Sequence, residues 1–271
     1  MQRTILFEHI PKTGGITLRG ILQKVYGKRH VFFINSNHPR QSLDAFIKMN
    51  PQERGHIRVI GGHGVLLYRK YLENPFIVTI LRDPVSLFFS QFHYLRISKK
   101  DIFWEDVRNM NTAGEYLKYA LSMGQDNLMT RFLANSMQWT VDPDQKFQNM
   151  NDSGEKLLQD ATQNLRSFDA VIDLGNFDAG VFALSRKLGW GRIPLYKPSN
   201  RTPGKPAEEN ADSGLIEKLR FYLRFDLELY EFFLSNNLDI SLTADFKNPG
   251  FRFFRLRQQI AKKAAIALGK N

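Results

Sequence analysis

Short apolar runs alternate with helical patterns along the first half of the chain, and this alternation limits the folds open to it. The run "TILFEHI" (4–10) precedes Gly14-Gly15 and a stretch with Leu18, Ile21, Leu22 and Val25 on one helix face. "VFFIN" (31–35), "IRVIGG" (57–62) and "FIVTILR" (76–82) have strand length, the last bounded by Asn74-Pro75 and Asp83-Pro84. Uninterrupted apolar strands are buried on both faces, which implies a parallel sheet with helices on each side. The expectation is an α/β fold with a central, mainly parallel sheet.

Helical patterns take over after Pro84, at about 84–97, 101–109, 112–122 and 125–135. Asp152 and Glu155 have the spacing of a capping box opening another helix. "FDAVIDLGNF" (168–177) reads as a further strand and turn, 190–211 as a Pro- and Gly-rich loop, and 213–235 as one long helix. With 271 residues, 42% hydrophobic and 24% charged, the chain is expected to form a single α/β domain over 1–249 followed by a basic amphipathic helix at 250–271.

The net charge is +11, but Arg252, Arg255, Arg257, Lys262, Lys263 and Lys270 lie in the last segment with no acid, leaving the rest at +5. A mildly basic body argues for a local anionic ligand rather than nucleic acid spread over the surface. The tail either packs its apolar face on the body with its cations solvated or lies on an anionic membrane. No cysteine is present, which removes disulfides, thiolate metal sites and cysteine nucleophiles. With neither a signal-peptide pattern at the start nor a long apolar span, a soluble cytoplasmic protein is expected.

Two junctions carry the chemistry. In "FEHIPKTGGITL" (7–18) a glycine pair lies between strand and helix, so backbone N–H groups and the positive end of the helix converge where Lys12, Thr13 and Thr17 add a charge and two hydroxyls. Phosphate suits that arrangement, although the segment also fits a plain tight turn. It is not a Walker A loop, because Lys12 precedes the glycines and no Gly-Lys-Ser/Thr occurs. In "TILRDPVSLFFSQFHYLR", Arg82 ends a strand and Ser90 follows two helical turns into the next helix. An arginine at a strand's carboxyl end faces the ligand crevice of an open α/β sheet, and its fork suits phosphate. Pairing with Asp83 or capping a helix is the structural alternative.

Together, "HIPKTGGIT" (9–17) and "LRDPVSLFFS" (81–90) resemble the 5′-phosphosulfate and 3′-phosphate segments of the PAPS-dependent sulfotransferases, PAPS being 3′-phosphoadenosine-5′-phosphosulfate. They look most like the carbohydrate branch that includes heparan sulfate 2-O-sulfotransferase and its bacterial relatives. The resemblance implies a P-loop-like three-layer fold with helical additions in the middle and at the C-terminus. It also implies that Lys12, Thr13, Gly14, Gly15 and Thr17 surround the phosphosulfate while Arg82 and Ser90 hold the 3′-phosphate. Ile16 replaces the usual hydroxyl after the glycines, and Leu87 a basic residue before Ser90. Further on, "DNLMTRFLANS" (126–136) is similar to a helix of the relatives, and "KPSNRT" (197–202) to their late loop, which adds Ser199, Asn200 and Arg201 to the donor site.

Such a reaction needs a base for the acceptor hydroxyl, and imidazole is suited to it. His63, between Gly62 and Gly64, is expected to stand exposed at the sheet edge, and the resemblance agrees with that role. Glu8 and His93 are the rivals, with His9 read as buried and structural. Lys12 is expected to stabilise the departing adenosine 3′,5′-bisphosphate. No metal is expected, since the histidines lack ligand spacing. The expected acceptor is a small-molecule or glycan hydroxyl, with Trp104, Tyr116, Tyr119 and Trp139 as possible cleft aromatics. A nucleotide-dependent kinase on a similar scaffold and a non-catalytic anion- or glycan-binding protein are the alternatives from other classes.

Overall fold

The apolar runs become five parallel strands in the computed structural model, which describes residues 3–36, 38–134, 154–196, 212–235 and 247–267, with side chains to 261. The strands are β1 (Ile5–Glu8), β2 (Val31–Phe33), β3 (Val59–Gly62), β4 (Phe76–Leu81) and β5 (Ala170–Asp173), ordered β2-β3-β1-β4-β5. Leu6 pairs with Ile60 on one side and Ile77 on the other, which fixes the central register.

Alternation along the strands feeds two cores, one per sheet face. Leu6, Ile60, Ile77 and Val171 point to a core completed by α2 (Pro39–Lys48), α7 (Leu128–Leu133), α8 (Gly154–Arg166) and α11 (Arg224–Ser235). Ile5, Phe7, Val59, Val78 and Ile172 point to the opposite core, with α1 (Gly15–Tyr26), α9 (Phe177–Lys187) and α12 (Pro249–Ala267). Phe251 and Phe254 of α12 are buried there, so the tail helix packs on the body. A third cluster joins α4 (Pro84–Ile97), α5 (Trp104–Val107), α6 (Ala113–Ser122) and α10 (Ser213–Tyr222), which is the helical addition in the middle of the chain.

The chain leaves β1 into α1 on one face and leaves β4 into α4, whose Leu87 joins the other core. The adjacent strands β1 and β4 therefore form the topological switch point, beyond whose carboxyl ends open α/β sheets bind their ligands.

The helices differ from expectation in four places. The segment 213–235 is two helices broken at Leu223. Asn127 explains the break: its Nδ2 donates to the Tyr222 carbonyl (2.8 Å), and its Oδ1 accepts from the Asp226 N–H (3.0 Å). One amide side chain thus replaces the helical bond those two backbone groups would share. Asp226 in turn caps α7, its Oδ1 accepting from the Thr130 N–H and hydroxyl and its Oδ2 from the Met129 N–H. Helix α5 is a single turn, and α7 begins at Leu128 because Asn127 is left-handed (φ 47°). Helices α2 and α3 (Pro51–His56) are additional, the latter closed by a capping box between Asn50 and Glu53. Asp152 lies outside the described residues.

Candidate active site

The loop after β1 turns sharply because Lys12 (φ 64°) and Gly14 (φ 88°) both take the left-handed conformation. For lysine that costs about 1 kcal/mol or more, a strain often found at functional sites. The turn presents the Lys12 carbonyl to Arg82, whose Nη1 donates to it at 2.9 Å. Arg82 and Lys12 thus meet beyond the carboxyl ends of β1 and β4. The Lys12 ammonium lies 4.0 Å from the centre of the Tyr94 ring. Burial, and then the Arg82 charge, lower its pKa to about 8, with Asp101 acting in the opposite direction.

Gly14 is the N-cap of α1 and Gly15 its first residue. Gly15 has no alternative: a Cβ there would sit 1.9 Å from Cδ2 of the His9 ring. Thr17 is buried in the first turn of α1. The Thr13 hydroxyl points inward, donating to the Ile10 carbonyl at 2.9 Å, so Thr13 presents its backbone rather than its side chain. Ser90 is half-buried on α4, two turns beyond Arg82. Asp83 accepts from the Ser86 N–H and caps that helix. Ser199, Asn200 and Arg201 lie outside the described residues, as does Trp139.

His63 departs from the expected exposure. It is half-buried, stacked on His9 (centroids 5.0 Å apart) and tilted against Phe132 (5.3 Å). Its Nδ1–H donates to the His9 carbonyl, which leaves Nε2 as the ring's acceptor. Burial lowers the imidazole pKa to about 4; the His9 bond works against that shift and the Arg19 charge adds to it. His63 is therefore neutral at pH 7. Gly64 (φ 76°) makes the following turn, and its N–H donates to Glu8 Oε1 at 2.9 Å. Glu8 is fully buried, and desolvation pushes its carboxyl up to about 8 against the N–H groups of Gly64, Leu66 and Val65. Through its bond to the Gly64 N–H, Glu8 supports the turn that carries His63. His93 is buried on α4 against Phe92.

Arg19 has no part in either motif. It is half-buried over the Phe33 ring (4.0 Å), one turn after Gly15, and its charge adds to the burial that lowers the pKa of both His9 and His63. Its position at i+4 from the glycine, on the same side of α1, was the available signal. Of the aromatics considered for an acceptor cleft, Tyr116 is core, and Tyr119 donates its hydroxyl to Asp106 at 2.8 Å. The segment 126–131 is also structural: Arg131 is buried and pairs with Asp126 at 2.7 Å. Among the described residues no group of three acids or histidines could hold a metal, and no helix is long and apolar enough to cross a membrane.

No protein-family model and no curated relative matches the chain. Among solved structures it is similar to the mouse sulfotransferase SULT7A1 complexed with PAP. The match covers 94% of this chain and 76% of that one, with 13% identity and a TM-score of 0.36. At that level the likeness carries no weight for the site, whose reading rests on the residues above.

Proposed function

We propose that the chain is a sulfotransferase that moves a sulfuryl group from PAPS to a hydroxyl of a carbohydrate or glycoconjugate. The observation that supports this best is the meeting of Lys12 and Arg82 at the switch point, with a neutral histidine at the carboxyl end of the neighbouring β3. Two cations from different strand ends suit a donor carrying phosphate at both ends, whereas a single phosphate would need only the glycine loop.

In this reading Lys12, Thr17 and the amides around Thr13, Gly14 and Gly15 receive the 5′-phosphosulfate. Arg82 and Ser90 receive the 3′-phosphate, with Ser199, Asn200 and Arg201 joining from the late loop. His63 Nε2 accepts the proton of the acceptor hydroxyl as its oxygen bonds to sulfur and the bond from sulfur to the bridging phosphate oxygen breaks. Lys12 stabilises the charge that gathers on that oxygen, and adenosine 3′,5′-bisphosphate departs. The carbohydrate acceptor is inferred from the resemblance of the two motifs alone.

Calorimetric titration with adenosine 3′,5′-bisphosphate and, separately, ATP with magnesium tests the reading. Tight binding of the bisphosphate with weak binding of ATP is expected. The reverse order would replace the sulfotransferase by a kinase, and binding of neither would remove the nucleotide site.

A further inference from the structure

A surface helix needs one apolar stripe, facing the core, yet α12 carries two. Phe251, Phe254 and Gln258 are buried against α9 and the 193–196 segment, where Gln258 Nε2 donates to the Pro194 carbonyl. Phe253, Leu256 and Ile260 repeat the same i, i+3, i+7 spacing two residues later. At about 100° per residue this offset puts them on the opposite side of the helix. They are 64%, 53% and 58% exposed. A Phe, a Leu and an Ile in solvent along one line serve no purpose in the core, which the first stripe already completes.

The charge around this second stripe narrows what covers it. The segment 250–271 holds six cations and no acid. At about 100° per residue the exposed Arg252 and the half-buried Arg257 fall on either flank of the second stripe, whereas Arg255 turns toward the buried face, its guanidinium 5.9 Å from the Phe251 ring centre. A second copy would bring the same cations against these, and nucleic acid would leave the Phe, Leu and Ile unused. An apolar line flanked by cations on a solvent-facing helix matches the boundary between anionic headgroups and acyl chains. We propose that α12 docks the protein on an anionic membrane surface, with Phe253, Leu256 and Ile260 inserted at the headgroup boundary and the arginines on the phosphates.

Co-sedimentation of the full chain with vesicles of phosphatidylcholine alone, and of phosphatidylcholine with phosphatidylglycerol, tests this. The wild type is expected to pellet with the anionic vesicles only, and less at high salt. Replacing the three exposed residues together (F253Q, L256Q, I260Q) is expected to reduce vesicle affinity by at least about tenfold. Thermal stability should stay unchanged, because none of the three is buried. Arg252→Gln with Arg257→Gln should weaken binding by roughly fivefold per cation. No pelleting with anionic vesicles, equal pelleting with neutral ones, or equal affinity of the triple variant would each overturn the proposal. So would self-association that the triple variant abolishes in the absence of any lipid affinity, since the stripe would then belong to a second copy.

Discussion

Gly15→Ala places the smallest possible side chain where the His9 ring lies. The added Cβ would be 1.9 Å from Cδ2, 2.2 Å from Nε2 and 2.7 Å from Cγ, whereas non-bonded carbons rest at about 3.5 to 4.0 Å. The ring must retreat by roughly 1.5 Å or more. It cannot do so freely, because it is stacked between Phe7 (5.7 Å) and His63 (5.0 Å). Overpacking of this kind costs about 1 to 3 kcal/mol, or a fall in Tm of a few to about ten degrees for a chain of this size. Helix propensity alone predicts the opposite sign, since alanine is favoured over glycine in a helix by about 0.5 to 1 kcal/mol. Thermal unfolding followed by circular dichroism separates the two. His9→Ala clears the space, so Gly15→Ala should cost little or nothing in that background, a coupling expected only of residues in contact. An unchanged Tm for Gly15→Ala, or the same loss with and without His9, would refute the packing argument.

His63→Ala should lower turnover by about 10²-fold or more while leaving bisphosphate affinity nearly unchanged, as steady-state kinetics and calorimetry would show. The Lys12 pKa is lowered to about 8, so the free protein loses that charge as pH rises past it. Affinity for adenosine 3′,5′-bisphosphate should therefore fall between about pH 7.5 and 9, above the range near pH 6 where the ligand's own phosphates titrate, and Lys12→Arg should abolish that fall. Asn127→Ala leaves the Tyr222 carbonyl and the Asp226 N–H without their buried partner and should cost about 1 to 3 kcal/mol for each group that stays unsatisfied, measured by denaturant unfolding.

The sheet was legible because each buried strand is a self-contained apolar run: β1, β3 and β4 fall inside the stretches marked by "TILFEHI", "IRVIGG" and "FIVTILR". The placing of Lys12 and Arg82 at one edge was legible for the same reason, since parallel strands bring their carboxyl ends together; the bond from Arg82 to the Lys12 carbonyl was not, because it depends on the left-handed turn at Lys12. The break at Leu223 was not, because the residue that causes it, Asn127, is 95 positions from the carbonyl it binds. Helix α3 carried a local signal in Asn50, Pro51 and Glu53 that the apolar pattern overshadowed. Flanking glycines suggested an exposed His63. They actually supply the turn that tucks it under the His9 carbonyl, a contact between β1 and β3 that local sequence does not reveal.

The central claim is that Lys12 and Arg82 hold opposite ends of one nucleotide. Calorimetry on Lys12→Ala and Arg82→Ala with adenosine 3′,5′-bisphosphate, adenosine 5′-monophosphate and adenosine 3′-monophosphate tests it most directly. The account predicts that Arg82→Ala erases the advantage of the bisphosphate over the 5′-monophosphate, and Lys12→Ala its advantage over the 3′-monophosphate. Equal losses for both monophosphates in both variants would contradict it.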